Sequence, residues 1–128
     1  MTQLAYEYRD FVKSRMKPMG TTQADLIHMT LGVAGEAGEL VDAIKKHWVY
    51  GKPLDVGNVV EELGDLLFYI QGVLNIVTSQ EVLAPETLEE LMIANMNKLS
   101  KRYPTGYSDI AAMARADKQE PTSSGPLT

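Results

Sequence analysis

The chain has 128 residues, no cysteine and a formal net charge of −5 at pH 7. This length suits one domain with a modest core. A hydrophobic fraction of 45% and a charged fraction of 23% are typical of a soluble globular protein. Without cysteine, disulfides, thiolate metal sites and cysteine nucleophiles are excluded. The negative charge disfavours nucleic acid as a partner, because nucleic-acid binding usually needs a basic face.

Neither the first residues nor the apolar runs carry a targeting or membrane signal. Residues 1–7 lack the basic-then-apolar layout of a signal peptide. The longest apolar run, 66–77, is interrupted by Gln71 and Asn75 and is too short to span a bilayer. We therefore expect a cytoplasmic protein that binds no membrane.

Helical periodicity predicts two helices in the first half of the chain. Apolar residues recur at helical spacing over residues 2–17, and the segment 17–20 then breaks the pattern. A long second helix is predicted over 23–50. Thr21 or Thr22 would cap its start, and Gly51 and Pro53 close it.

Two further long helices are predicted in the second half. Asp55 would cap a helix over 56–79 that is apolar around much of its circumference. Such a helix is buried on more than one side, which favours a bundle interior and an oligomer interface. A fourth helix is predicted over 85–102, with Pro85 in its first turn.

The remainder of the chain is predicted to be peripheral. Ser108 would cap a short C-terminal helix, and residues 119–128 lack core residues and are expected to form a flexible tail. We therefore divide the chain into a helical domain (1–107), a short helix (108–118) and a tail (119–128). No strand-like alternation occurs, so the predicted fold class is all-α, a four-helix bundle.

Two pairs of acidic residues are the main functional signal. Glu36 and Glu39 in the second helix, and Glu62 and Asp65 in the third, are each three residues apart and share a helix face. Carboxylates brought face to face repel each other and lose hydration unless a cation compensates. Carboxylate-only ligation suits Mg²⁺ or Mn²⁺. Glu61 could share this site or face solvent.

Three glycines lie inside the second predicted helix at three-residue intervals: Gly32, Gly35 and Gly38. Each costs about 1 kcal/mol relative to alanine in a helix interior. One interpretation is a kink or tight packing. The other is that the missing side chains let a second helix or a ligand approach the face that carries Glu36 and Glu39.

The acidic pairs and their surroundings resemble a known family. Glu36-x-x-Glu39, a gap of 22 residues and then Glu62-x-x-Asp65 resembles the signature of the MazG-like, all-α nucleoside triphosphate pyrophosphohydrolases. The flanking segments 35–40, 61–69 and 98–104 are similar to that family as well. The resemblance covers residues 23–107.

The resemblance implies a four-helix bundle that assembles as a homodimer or homotetramer. It implies Mg²⁺, with Mn²⁺ as a substitute, bound by Glu36, Glu39, Glu62 and Asp65. The implied reaction converts a nucleoside triphosphate to the monophosphate and pyrophosphate through a metal-activated water. A carboxylate not fully engaged by metal would act as general base, for which Glu39 is the first candidate and Glu36 the second.

Several residues are candidates for substrate binding. Cationic side chains suit the phosphates, aromatic rings suit the base, and an amide lies beside two of the cations on the fourth helix; in chain order the candidates are Lys45, Trp48, Tyr69, Asn95, Lys98 and Arg102. Each has a structural alternative, as a solvated polar residue or a core aromatic. His28 and His47 are interpreted as structural.

Two other functions compete with the enzyme. A di-iron carboxylate bundle requires Glu-x-x-His pairs, which the chain lacks. The alternative is a non-catalytic helical dimer, a nucleotide-sensing or interaction module whose acidic pairs form interhelical salt bridges. Salt bridges need basic residues opposite the acids, and the third predicted helix contains none.

Overall fold

The computed structural model of the chain describes residues 1–79 and 84–118. Over these ranges the protein is all-helical and contains no strand, which confirms the predicted fold class. The helices are α1 (Gln3–Arg15), α2 (Thr22–Trp48), α3 (Val56–Thr78), α4 (Leu88–Arg102) and α5 (Asp109–Ala114), and a single 3-10 turn follows at Ala116–Lys118. The predicted flexible tail, 119–128, lies outside the described residues.

Side-chain caps start the helices where the sequence predicts them, with one exception. The side chains of Thr21, Asp55 and Ser108 accept hydrogen bonds from backbone N–H groups in the first turns of α2, α3 and α5. The exception is α4, which begins at Leu88 rather than at residue 85.

The buried Thr87 explains the later start of α4. The Glu90 N–H donates to Thr87 Oγ1 over 3.2 Å, so Thr87 acts as the N-cap. Glu90 Oε2 in turn accepts a hydrogen bond of 2.7 Å from the Glu86 N–H. These two hydrogen bonds resemble a capping box and place the N-cap of α4 two residues after Pro85.

The chain divides into two compact units, Met1–Glu90 and Leu91–Thr128. In the first unit α3 is central, because α2 and α1 both pack against it. In the second unit the C-terminal part of α4 is followed by α5 and the 3-10 turn. The predicted boundaries after residues 107 and 118 stay predictions.

The core of the first unit is small. Its fully or almost fully buried apolar side chains come from α1, α2 and α3: Val12, Met29, Ala43, Leu74 and Ile76. Large apolar side chains on the outer faces of α2 and α3 remain exposed. None of the helices in the described part of the chain is both long enough and apolar enough to cross a membrane.

The buried amide of Gln71 ties the beginning of α4 to α3. Its Nε2 donates to Asn75 Oδ1 over 2.8 Å and to the Glu86 carbonyl over 3.1 Å. Its Oε1 accepts from the Leu88 N–H over 3.1 Å. Because this buried polar side chain is satisfied on both ends, it holds its place without the cost of an unpaired group.

Candidate active site

Antiparallel packing of α2 and α3 brings three of the four predicted metal ligands together. Oxygens of Glu36 from α2 and of Glu62 and Asp65 from α3 all lie within 4.8 Å of one another. Glu36 and Glu62 are half-buried, and Asp65 is exposed. These residues are referred to below as the acidic cluster.

The acidic cluster opposes the full ionisation of its own members. Burial raises the pKa of Glu62 above its ordinary value, and a hydrogen bond to Glu36 with the charges of Glu36, Glu39 and Asp65 raises it further. No lysine, arginine or histidine forms an ion pair with the cluster in the described ranges. The negative charge is therefore not compensated by the surrounding protein.

The chemistry of the cluster fits a hard divalent cation. Carboxylate oxygens are the ligands that Mg²⁺ and Mn²⁺ prefer. Burial and the neighbouring carboxylates raise the pKa of Glu62, and a bound cation would relieve the same repulsion. Glu36, Glu62 and Asp65 are thus the residues that could hold a metal.

Glu39 and Glu61 lie outside the acidic cluster. Glu39 is exposed, one turn beyond Glu36 on α2, and its charge contributes to the raised pKa of Glu62. It is near the cluster without belonging to the group of three. Glu61 is exposed and is not a member of the group either.

Tyr69 lies one turn beyond Asp65 on α3, and its ring packs against the backbone of α2. A Cβ built on Gly32 would overlap the Tyr69 ring carbons Cγ, Cδ1 and Cε1. The same ring meets Phe68 edge-on, with ring centroids 5.3 Å apart and planes at 89°. Gly32 therefore permits close helix packing, whereas a Cβ on Gly35 or Gly38 would meet open space.

Tyr8 is a neighbour of the acidic cluster that the sequence did not reveal. Burial, and secondly the charge of Asp65, raise the pKa of its phenol above the ordinary value. Tyr8 occupies a helical apolar position on α1, and its sequence pattern is that of a core residue. Only the packing of α1 against α3 brings it near Asp65.

The predicted substrate residues near the end of α2 are exposed. Trp48 is 84% exposed, and Lys45 places its Nζ 5.8 Å from the centroid of the Tyr50 ring. His47 Nδ1 lies 2.7 Å from the Lys52 carbonyl oxygen, which fits the structural role expected for this histidine.

The remaining predicted substrate residues belong to the second unit. Asn95 and Lys98 are exposed on α4. Arg102 instead makes a two-pronged ion pair with Asp117, donating from Nε over 2.8 Å and from an Nη over 3.0 Å. The two side chains are only 17% and 2% exposed, respectively. The phosphate-binding roles of these three residues stay predictions.

Comparisons with known proteins agree with the resemblance seen in the sequence. The family model of the MazG nucleotide pyrophosphohydrolase domain matches residues 25–107. That region contains the acidic cluster, Glu39 and all six predicted substrate-binding residues. Searches of curated proteins and of solved structures found no match. The match covers more than half of the sequence, and the chain therefore belongs to the MazG nucleotide pyrophosphohydrolase domain family.

Proposed function

We propose that the protein is a Mg²⁺-dependent nucleoside triphosphate pyrophosphohydrolase that converts a ribo- or deoxyribonucleoside triphosphate to the monophosphate and pyrophosphate. The observation that supports this most directly is the acidic cluster, which lies inside the segment matched by the family model. Hydrolysis of a polyphosphate needs compensation of its negative charge and a positioned water, and carboxylates that hold Mg²⁺ serve both needs.

In this proposal Glu36, Glu62 and Asp65 hold the metal, and Glu39 is the general base. A bound Mg²⁺, or Mn²⁺ in its place, would neutralise phosphate charge and lower the pKa of a nearby water. Glu39 suits the role of general base because it is exposed and lies outside the acidic cluster. It is still near enough for its charge to raise the pKa of Glu62. It accepts the proton of the attacking water while the anhydride bond between the α- and β-phosphates breaks and pyrophosphate leaves.

Substrate binding is assigned to the side chains that the sequence indicates. Lys45, Lys98 and Arg102 supply positive charge for the phosphates, and Asn95 supplies an amide. Of the two candidate stacking rings, Trp48 is free to meet a base because it is 84% exposed. Tyr69 is half-buried and its ring already contacts α2.

Product analysis tests the proposal. The purified protein is incubated with a panel of ribo- and deoxynucleoside triphosphates, with Mg²⁺ or with EDTA. Monophosphate and pyrophosphate that form only with Mg²⁺ support the proposal. Release of orthophosphate and diphosphate overturns the reaction type. Absence of turnover despite stabilisation by Mg²⁺ favours the alternative, a nucleotide-sensing or interaction module.

We also propose that a second copy of the chain packs along the outer face of α2. The residues at heptad spacing on this face between Ile27 and Val41 are exposed, and we name the set the α2 stripe: Ile27, Leu31, Ala34, Gly38 and Val41. Spacing of four and three residues is the pattern of two helices that pair along a coiled-coil seam. Glu36 lies on the opposite face of α2, so the pairing leaves the acidic cluster uncovered.

The size and shape of the α2 stripe suit a copy of the same surface. Its three large apolar side chains, Ile27, Leu31 and Val41, are 53% to 65% exposed. They extend over about 20 Å of helix. Ala34 and Gly38 at its centre allow two helix backbones to approach closely.

A further inference from the structure

Two neighbouring layers between α2 and α3 each pair a glycine with a large side chain. In one layer the glycine is on α2, where Gly32 receives the ring of Tyr69. In the next layer the order is reversed, since Gly72 on α3 receives Met29 from α2. A Cβ on Gly72 would overlap Met29 Sδ and lie 3.1 Å from Met29 Cγ. Met29 and Gly72 are both buried, so the contact is part of the core.

The same alignment of α2 against α3 also places the residues of the acidic cluster opposite each other. Three residues back along α2, from Gly32 to Met29, correspond to three residues forward along α3, from Tyr69 to Gly72, as expected for antiparallel helices. One turn in the other direction places Glu36 opposite Asp65, and these two belong to the cluster. The Gly32–Tyr69 layer is therefore the immediate neighbour of the layer that carries the carboxylates.

We propose that the Gly32–Tyr69 and Met29–Gly72 layers are a register lock that positions Glu36 against Glu62 and Asp65. Gly32 and Tyr69 are positioning residues in this account, with no contact to metal or substrate. The inference rests on the proposed function only in treating the acidic cluster as a metal site. The register itself does not depend on a metal.

The reversed order of the two layers is what makes the register specific. A slip of one layer in one direction would bring Tyr69 against Met29, two large side chains in a closely packed interface. A slip in the other direction would place the Tyr69 ring against Glu36 and remove the carboxylate from its partners. Both outcomes are costly, because protein interiors tolerate overpacking and unpaired buried charge poorly.

Mn²⁺ binding followed by electron paramagnetic resonance tests the lock, with two matched glycine substitutions on α2. Gly32→Ala introduces a Cβ into the Tyr69 ring, whereas Gly35→Ala introduces the same methyl group into open space, next to Glu36. We expect Gly32→Ala to weaken Mn²⁺ binding roughly 10- to 100-fold, as found when groups that orient metal ligands are changed. We expect Gly35→Ala to bind Mn²⁺ as the wild type does. Equal affinities in Gly32→Ala and wild type, or equal losses in both variants, overturn the proposal.

Variants at Tyr69 keep the test decisive if Gly32→Ala does not fold. The overlap involves ring carbons and not the hydroxyl, so Tyr69→Phe should keep the wild-type Mn²⁺ affinity. Tyr69→Ala removes the ring that separates the helices and should weaken Mn²⁺ binding by at least about tenfold. Unchanged affinity in Tyr69→Ala contradicts the lock.

A distance measurement separates failure of the lock from failure of the proposed function. The chain has no native cysteine, so nitroxide labels can be attached through Asp42→Cys on α2 and Glu61→Cys on α3, both exposed positions. With labelled chain diluted in unlabelled chain, the label distance should shift or broaden in Gly32→Ala and stay unchanged in Gly35→Ala. If wild type binds no Mn²⁺, the metal site is wrong, and this distance alone decides the lock. An identical distance distribution in Gly32→Ala and wild type overturns it.

Discussion

At Glu62, burial and the neighbouring carboxylates of Glu36, Glu39 and Asp65 all oppose ionisation. A group whose folded-state pKa is raised in this way destabilises the fold when it is charged at neutral pH. A cation bound at the cluster favours the ionised carboxylates, so with the cation present charged Glu62 stabilises the fold instead of destabilising it. The same residue is therefore expected to lower stability without metal and to raise it with metal.

Glu62→Gln separates these two effects. The neutral amide removes the repulsion, so in EDTA we expect the variant to melt at or above the wild-type temperature. With Mg²⁺ at 100 times its Kd, the wild type should gain about 2.7 kcal/mol, and the variant should gain much less. Thermal melting with and without Mg²⁺ measures both. The exposed neighbour Glu61, changed to Gln, is the control and should respond to Mg²⁺ like the wild type. A full Mg²⁺-dependent shift in Glu62→Gln would contradict the role assigned to Glu62.

The sequence identifies the acidic residues of the site, but it does not show which other residues lie near them in the folded protein. Helical spacing was sufficient to place Glu36 on one face of α2 and Glu62 with Asp65 on one face of α3. Spacing could not distinguish Glu39, which shares a face with Glu36 but lies outside the cluster. The nearness of Tyr8 to Asp65 depends on how α1 packs, and no local pattern encodes that.

Among the helices, α4 depends on the cap that Thr87 provides. The hydroxyl accepts the Glu90 N–H, and the side chain is fully buried. Thr87→Ala should lower the free energy of unfolding by about 1 kcal/mol, the usual cost of losing such a cap. Urea unfolding measures the loss. Thr22→Ala is the control, because Thr22 is exposed and follows the residue that caps α2. A loss as large in Thr22→Ala would show that the cap is not the cause.

The short helix α5 and the 3-10 turn are connected to α4 by the Arg102–Asp117 pair. A six-residue helix is not stable alone, so tertiary contacts must hold it. The hydrogen bonds from Arg102 lower the pKa of Asp117. Because a depressed carboxyl pKa stabilises the folded state above the unfolded-state pKa, the contribution is present at neutral pH and is lost as pH falls through the folded-state pKa.

Hydrogen exchange of residues 109–118 tests this pair. In the wild type we expect protection to persist down to pH of about 4, near the ordinary aspartate pKa, and to decline below it. In Asp117→Asn we expect low protection already at pH 7, with the first unit unaffected. Protection that is equal in the variant and the wild type at pH 7 would rule out the pair as the main attachment of the segment.

Local sequence patterns predict the starts of α2, α3 and α5 but not the start of α4. The caps at Thr21, Asp55 and Ser108 were readable, because each is a short polar side chain just before a periodic segment. Pro85 predicted an early start for α4, since proline favours a first turn. The actual start depends on Thr87, whose burial and pairing with Glu90 follow from its position beside α3.

For the whole molecule, the exposed α2 stripe predicts self-association. Leu31 belongs to the α2 stripe and is 65% exposed. A lysine at this position would place a charge in an apolar interface between two helices. We expect the wild type to sediment as a dimer or larger species and Leu31→Lys to sediment as a monomer with unchanged helicity. Gln3→Lys, an equal change of charge at an exposed position of α1, should leave the assembly intact. A monomeric wild type would contradict the interface.

The fold class and the existence of a two-helix acidic site were predictable, whereas the packing that gives the site its shape was not. Periodicity reports which face of a helix is apolar, and motif spacing reports which acids share a face. The glycine positions allowed two interpretations, and only the contact with Tyr69 distinguishes Gly32 from Gly35 and Gly38. Likewise, the sequence indicates a cation at Arg102 but not its pairing with Asp117, which depends on how the segment after α4 folds back.

Pyrophosphate release from a nucleoside triphosphate, compared among wild type, Glu36→Gln and Glu61→Gln, tests the central claim most directly. We expect wild type and Glu61→Gln to release pyrophosphate and monophosphate with Mg²⁺ and not with EDTA. Glu36→Gln should be slower by about 100-fold or more, since each 1.4 kcal/mol of lost transition-state stabilisation is tenfold in rate. Equal rates in Glu36→Gln and wild type, or pyrophosphate release that persists in EDTA, would contradict a carboxylate-held metal as the basis of the activity.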